Sequence, residues 1–239
     1  MRLAAASKCV RKGVVKRLPF VALKTNRKGG IRAITLEEGD HLINVIRTTG
    51  NDNIILATAQ GMAICFNEND VRCMGRDAAG VRGITLNEGD IVVGAQKWEE
   101  GKTLLTVTEN GYGKRTELPE YLRTGPDGEK VPQSRGGKGL KNYNITPKTG
   151  NVAGCVVVGE TDDVMLIENG GVIIRVPANS INVYKRDVQG VIVMRIEEGN
   201  KLVSLECVPN VNTDDVEEFP EERNAADIIP ENLSEDAGE

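Results

Sequence analysis

Residues 75–90 read GRDAAGVRGITLNEGD and contain the pattern that decides the fold. A glycine precedes a short stretch with β-branched residues, VRGITL, and the turn NEGD follows it directly. Three other stretches repeat this pattern, namely GIRAITLEEGD at 30–40, GLKNYNITPKTG at 139–150 and GVIVMRIEEGN at 190–200. Because four copies in one register are improbable for unrelated hairpins, the chain is predicted to be a repeat protein.

Each repeat contains three further strand-like stretches around this pattern. A short apolar strand leads to a glycine turn and a second strand, and a fourth, apolar strand follows the acidic turn. The turn glycines are spaced 48, 50 and 60 residues apart, at Gly13, Gly61, Gly111 and Gly171. An insertion rich in turn residues, 125–132, accounts for the longest spacing.

Four short strands in a unit of about 45–50 residues are typical of a propeller blade. The prediction is an all-β, propeller-like disc with about four blades, each with two apolar faces that neighbouring blades bury. The disc is predicted to span 1–210, with blades at approximately 1–50, 51–98, 101–158 and 161–208.

Charge divides the chain into two unlike parts. The net charge of −5 averages a basic body and an acidic end, since residues 213–239 hold eleven Asp or Glu and one Arg. Residues 211–239 are therefore predicted to be an acidic, disordered tail. The rest of the chain carries a net charge of about +5, which favours an anionic partner.

The sequence contains no constellation that indicates catalysis, a metal or a cofactor. His41 is the only histidine, the five cysteines form no CxxC pair, and RGGKG lacks the Ser or Thr of a phosphate loop. The acidic turns recur with the repeat and are interpreted as turn residues. No apolar run approaches the ~20 residues that span a bilayer, so the expectation is a cytoplasmic protein with no membrane contact.

Positive charge recurs near glycine in every repeat. The loops before the third strand carry Arg27, Lys28, Arg32, Arg76, Arg82, Arg135, Lys138, Lys141, Lys185 and Arg186. The second strands carry Lys16, Arg17, Lys114, Arg115 and Arg175. Because a repeat places equivalent residues at equivalent points on each blade, these cations are predicted to lie along a shared rim. Such a rim matches a bent polyanion that is bound through its phosphates without sequence readout.

One stretch carries a likeness to a known family. QSRGGKG at 133–139 resembles the signature box of the C-terminal domain of the DNA gyrase A protein. The similarity continues in NGYGKRTELPEY at 110–121, GRDAAGVRGITLNEGD at 75–90 and VYKRDVQGVIVMRI at 183–196, and covers roughly residues 8–208. It implies a β-pinwheel, a disc whose blades exchange strands in a Greek-key pattern. It also implies DNA contacts for the box residues Gln133, Arg135, Gly136, Gly137, Lys138 and Gly139.

The resemblance implies a function and partners as well. Members of this family wrap double-stranded DNA around the basic perimeter and thereby serve negative supercoiling by an ATP-dependent type IIA topoisomerase. The implied protein partners are the breakage-reunion domain of gyrase A and the gyrase B protein, and the implied location is the nucleoid. ATP and Mg²⁺ would be used by other parts of that enzyme. The family's catalytic tyrosine lies in a separate N-terminal domain, so this chain is not expected to cleave DNA.

Two alternatives remain open. The nearest is the equivalent module of topoisomerase IV, in which the boxes are degenerate; the nearly intact box, altered at Ser134, favours gyrase. The other is a protein-binding propeller, which predicts aromatic and Met anchors in loops. With one Trp, three Phe and four Tyr, the sequence offers few such anchors.

Overall fold

The computed structural model describes residues 5–210, in which short antiparallel strands and four single 3₁₀ turns are found. The predicted acidic tail, 211–239, lies outside the described residues. The strands are β1 (Ala5–Val10), β2 (Val14–Pro19), β3 (Leu42–Thr48), β4 (Asn53–Thr58), β5 (Met62–Asn67), β6 (Val81–Arg82), β7 (Val92–Lys97), β8 (Thr103–Thr108), β9 (Tyr112–Glu117), β10 (Arg123–Thr124), β11 (Lys130–Val131), β12 (Leu140–Lys141), β13 (Val152–Val158), β14 (Asp163–Glu168), β15 (Ile173–Pro177), β16 (Val191–Ile192) and β17 (Leu202–Val208). The 3₁₀ turns are Phe20–Leu23, Glu68–Asp70, Leu118–Tyr121 and Ala178–Ser180.

The sheets form four blades, and this confirms the predicted all-β, propeller-like fold. Blade 1 has the strand order β3-β1-β2-β6, blade 2 β7-β4-β5-β12, blade 3 β13-β8-β9-β16 and blade 4 β17-β14-β15. The insertion forms a separate hairpin of β10 and β11.

The outermost strand of each of the first three blades comes from the following repeat. β6, β12 and β16 pair with β2, β5 and β9, the second strands of the preceding blades. The blades are therefore joined by strand exchange, as the family resemblance implies.

Two expectations about these third strands were wrong. The first is their length, since only two residues of each are paired in β6, β12 and β16. The second is residues 31–36 of the first repeat, which form no strand. A third strand pairs with the preceding blade, and residues 5–210 contain no blade before the first. Blade 4 has three strands because residues 5–210 contain no repeat after it that would supply a fourth.

The hydrophobic core consists of three layers between neighbouring blades. Side chains alternate between the two faces of a strand, so β4 places Ile54 against blade 1 and Ile55 against blade 3. In β8, Leu104 faces blade 2 and Leu105 faces blade 4. All four side chains are buried. This two-sided burial is why the blades cannot be stable separately.

The innermost strands pack side by side around a common opening. Adjacent blades are linked there by side chains, with Asn44 Nδ2 donating to Ala95 O at 2.7 Å and Gln96 Nε2 to Cys155 O at 3.2 Å. β3, β7, β13 and β17 all line this opening. The exchanged strands therefore lie at the outer perimeter of the disc. No helix in the described part of the chain is long and apolar enough to cross a membrane.

Candidate nucleic-acid interface

Four basic segments, which we call the rim loops, recur once in each repeat, and the last three lie at the points where strands are exchanged. They are residues 27–32, 76–82, 135–141 and 185–192. In the last three, a glycine with positive φ brings the loop against the second strand of the preceding blade. A Cβ at Gly80 would lie 2.7 Å from Val15 O, and a Cβ at Gly139 would overlap Ala63 O. Glycine is needed there because the two backbones approach too closely for a side chain.

An arginine at an equivalent position links each of two rim loops to the loop before it. Arg135 donates from one Nη to Arg82 O at 3.0 Å, and Arg186 donates from one Nη to Lys141 O at 2.8 Å. Each arginine stands four residues before the loop glycine, and each acceptor two residues after the preceding glycine. The repeat in the sequence thus becomes a repeating contact between neighbouring loops.

The loop that contains the box is fastened to blade 2 and to its neighbouring loop by its backbone. Gly136 N donates to Gly83 O at 2.6 Å, and Thr85 donates to Gly137 O from its backbone N and to Gly136 O from Oγ1. Gln133 donates to Cys65 O from its N–H and to Tyr121 O from its amide. The box is therefore held in one conformation, and the side chain of Gln133 stabilises the fold.

The first rim loop adjoins the second. Arg27 and Arg76 line one open depression, and Thr35 Oγ1 lies 3.4 Å from Asp77 O. The four rim loops are thus neighbours in chain order and form one continuous surface along the perimeter. The structure brings together the loop cations, though not the second-strand cations, that the repeat predicts for a shared rim.

The cations of the rim loops differ in exposure. Arg76, Arg135 and Arg186 are half-buried. The exposed ones are Arg27, Lys28, Arg32, Arg82, Lys138, Lys141 and Lys185. The half-buried arginines bind backbone carbonyls or line the depression. The exposed lysines and arginines are therefore the side chains best placed for direct contact with phosphates.

Lys114, which was predicted to contact DNA, is fully buried. Its ammonium donates to Lys185 O at 2.7 Å and to Arg186 O at 2.6 Å, and it lies 5.4 Å from the centre of the Tyr143 ring. Burial lowers the pKa of Lys114 to about 7 because it removes the ammonium from water, and nearby Arg186 acts in the same direction. This side chain supports a rim loop from beneath and does not reach the surface.

Lys16 occupies the equivalent position in blade 1 and does the same. It is fully buried, and its ammonium donates to the carbonyls of Arg76 and Ala78. In blade 2 the equivalent residue is Ile64, which is also buried. A lysine at the third position of the second strand therefore binds backbone carbonyls of the next rim loop. The repeat alone does not reveal this role.

Arg115 and Arg175 are also placed away from free rim positions. Arg115 is buried, donates from Nε to Ile181 O at 2.6 Å and pairs with Glu160. Arg175 is exposed but pairs with Asp163 at 2.6 Å, so part of its charge is neutralised. Because both side chains are already paired, neither is free to bind a phosphate, and neither is part of the interface proposed below.

The aspartates of the acidic turns accept hydrogen bonds from backbone N–H groups. Asp90 Oδ1 accepts from Gln60 N and Ile91 N at 2.9 and 2.8 Å, and Asp40 Oδ1 accepts from Lys12 N and His41 N. A carboxylate that accepts two backbone N–H groups stabilises a turn. These contacts agree with the interpretation of the acidic turns as structural.

Blades joined by exchanged strands, with a basic loop at each exchange, define a β-pinwheel-type module. The family model for "DNA gyrase C-terminal domain, beta-propeller" matches residues 11–49, 52–98, 102–131, 129–158 and 162–209. The chain belongs to this family, which confirms the resemblance seen in the sequence.

Individual relatives support the same family membership. The DNA gyrase A protein of Clostridium acetobutylicum is 40% identical over 230 residues, covering 95% of this chain and 26% of the relative. The DNA gyrase A protein of Klebsiella oxytoca is 37% identical over 228 residues, covering 94% of this chain and 25% of the relative. The chain thus spans about a quarter of the length of these relatives.

Solved structures of two related modules superpose on this chain. A DNA gyrase A C-terminal domain superposes with a TM-score of 0.75 at 26% identity, covering 87% of this chain and 67% of that one. The C-terminal domain of a DNA topoisomerase IV superposes with a TM-score of 0.78 at 25% identity, covering 86% and 62%.

Proposed function

We propose that this chain binds double-stranded DNA along the rim loops, without reading its sequence, and bends it around the perimeter of the disc. The observation that carries the proposal is the continuity of the four rim loops and their exposed cations. Cations that recur along a convex edge fit a curved phosphate backbone, and phosphate contacts supply affinity but no sequence information.

Within the rim, Lys138 and Lys141 are the best placed for direct phosphate contact. Both are exposed, and they flank Gly139 on a loop whose backbone is fixed by blade 2. Arg135 acts differently, because its guanidinium already binds Asp70 O and Arg82 O. A pre-organised loop loses little conformational entropy when a ligand binds.

The bound and bent DNA would serve negative supercoiling by DNA gyrase. In that assignment the chain is the non-catalytic part, and its partners are the breakage-reunion domain of gyrase A and the gyrase B protein. ATP and Mg²⁺ would bind to those other parts. The two relatives described above are DNA gyrase A proteins at 37% and 40% identity, which supports this choice.

A module of the topoisomerase IV type is the second candidate, because that structure superposes equally well. The nearly intact box at 133–139 favours the gyrase assignment, because the boxes of topoisomerase IV modules are degenerate. A protein-binding propeller is less well supported, since Phe20 is the one aromatic residue among the exposed large hydrophobic side chains of residues 7–210.

Charge reversal on the box loop tests the proposed interface. Lys138→Glu with Lys141→Glu is expected to weaken binding to relaxed plasmid at least about tenfold and to lower the salt slope of binding by about 2. Fluorescence anisotropy or gel shift measures both quantities, and circular dichroism checks the fold.

The matched control reverses the same amount of charge outside the rim loops. Lys12→Glu with Lys201→Glu suits this purpose, because both lysines lie at turns and pair with Glu37 and Glu109. The control is expected to lose much less affinity. Equal losses in the two variants would mean that net charge, and not the rim surface, governs binding.

A further inference from the structure

Lys114 is a buried lysine without a carboxylate partner. Its side chain is fully buried, and none of the ion pairs within residues 5–210 includes it. Burial is the main cause that lowers the pKa of Lys114 to about 7. Arg186 also lowers this pKa, whereas Asp187 and Glu120 raise it but do not restore its ordinary value. At neutral pH the site therefore holds both the ammonium and the neutral amine.

Either form of this side chain satisfies the contacts that hold the last rim loop. Nζ donates to Lys185 O at 2.7 Å and to Arg186 O at 2.6 Å. A neutral amine has two N–H groups, which is enough for both carbonyls, and the ammonium has three. The charge of the ammonium lies 5.4 Å from the centre of the Tyr143 ring, which is an attractive contact. Burial raises the pKa of Tyr143, so this phenol stays neutral. A proton can therefore enter or leave Nζ without release of the rim loop.

The amine lies beneath the part of the rim loop that would meet DNA. The carbonyls that it binds belong to Lys185 and Arg186, and the side chain of Lys185 is exposed. A phosphate bound to Lys185 would place a negative charge on the order of 10 Å from Nζ, a separation at which charges in a protein still interact. A nearby negative charge favours the ammonium over the neutral amine. It would also offset the effect of Arg186.

We propose that Lys114 couples DNA binding to proton uptake: a phosphate backbone on the last rim loop favours the ammonium, and the neutral amine takes up a proton from the solvent. The inference rests on the DNA-binding function proposed above. Lys114 acts through the rim loop and is a positioning residue, not a phosphate ligand. By linkage, the ammonium strengthens DNA binding as much as bound DNA favours the ammonium. Affinity therefore falls as the pH rises through the range in which Lys114 loses its proton.

Titration calorimetry of the chain with a short linear duplex measures the proton uptake. The titration is repeated at pH 7.5 and low salt in buffers of different ionisation enthalpy, because the buffer heat is proportional to the protons taken up. We expect an uptake of roughly 0.3–0.5 proton per bound chain, and an affinity that falls about three- to tenfold from pH 6 to pH 9. A wild-type chain that binds the duplex without proton uptake would overturn the proposal.

Lys114→Met removes the titrating group and keeps a long side chain in its place. The equivalent residue of blade 2, Ile64, is buried and apolar, so this position of a blade accepts a side chain without an amine. The variant is expected to lose the proton uptake of the wild type. His41 is present in both proteins, so its contribution cancels in the difference. Circular dichroism checks the fold, and proton uptake equal to that of the wild type would contradict the proposal.

Lys138→Met is the control, because Lys138 is an exposed lysine of the third rim loop. This variant is expected to bind DNA more weakly at every pH and to keep the proton uptake per bound chain. Loss of the uptake here as well would show that Lys114 is not its source. A wild-type chain that does not bind the duplex at low salt would instead refute the DNA-binding function, and this inference with it.

Discussion

Raising the salt concentration from 50 to 200 mM is expected to weaken binding of this chain to relaxed plasmid DNA by about 10³- to 10⁵-fold, if it contacts ~6–10 phosphates. The physical reason is counterion release, because each phosphate neutralised by a lysine or arginine frees a condensed cation. The seven exposed cations of the rim loops, from Arg27 to Lys185, make a footprint of that size available.

The measurement is a binding titration at several salt concentrations with two plasmids of unrelated sequence. Equal affinities for the two plasmids are expected, since the exposed lysines and arginines address the backbone. A steep slope with a strong sequence preference would point to base readout. A flat slope with weak affinity would favour the protein-binding propeller.

Gly111→Ala is expected to destabilise the disc by about 3 kcal/mol or more. Gly111 has a positive φ of 76°, and a Cβ there would overlap the carbonyl of Met194 and press on Ile196. Relief requires that β16 moves off blade 3, which exposes the core layer between blades 3 and 4.

Gly89→Ala is the matched control for this substitution. Gly89 also has positive φ, at 71°, but has no atom within 4 Å of the Cβ position. Only the conformational penalty of about 1–2 kcal/mol is then expected. Urea denaturation of the two variants measures the difference, and equal losses would show that the approach of β16 contributes nothing to stability.

The repeat in the sequence predicts the architecture well because it reports directly on burial. Consecutive apolar residues such as Ile54 and Ile55 point to opposite faces and require a neighbour on each, and a four-fold pattern supplies those neighbours. Strand exchange was implied only by the family resemblance. Periodicity gives the order of strands along the chain but not which blade completes the hydrogen bonds of each, so residues 31–36 were expected to form a strand that they do not form.

The candidate interface was predicted in outline but not in the roles of its residues. Charge and spacing identify a shared rim, yet they treat Lys114 and Lys138 alike. The structure separates them, because Lys114 points between blades toward the carbonyls of the last rim loop while Lys138 lies on the surface. Whether a cation faces inward depends on the position of the exchanged loop, which is a long-range feature.

Acetylation of lysines with and without DNA tests the central proposal most directly, with mass spectrometry giving the extent of modification at each site. At low salt, DNA is expected to protect the lysines of the rim loops and to leave exposed lysines elsewhere reactive. Protection is predicted at Lys28, Lys138, Lys141 and Lys185, and continued reactivity at Lys12 and Lys201. The buried Lys16 and Lys114 should be unreactive in both states. Protection of Lys12 and Lys201 without protection of the rim lysines would contradict the account.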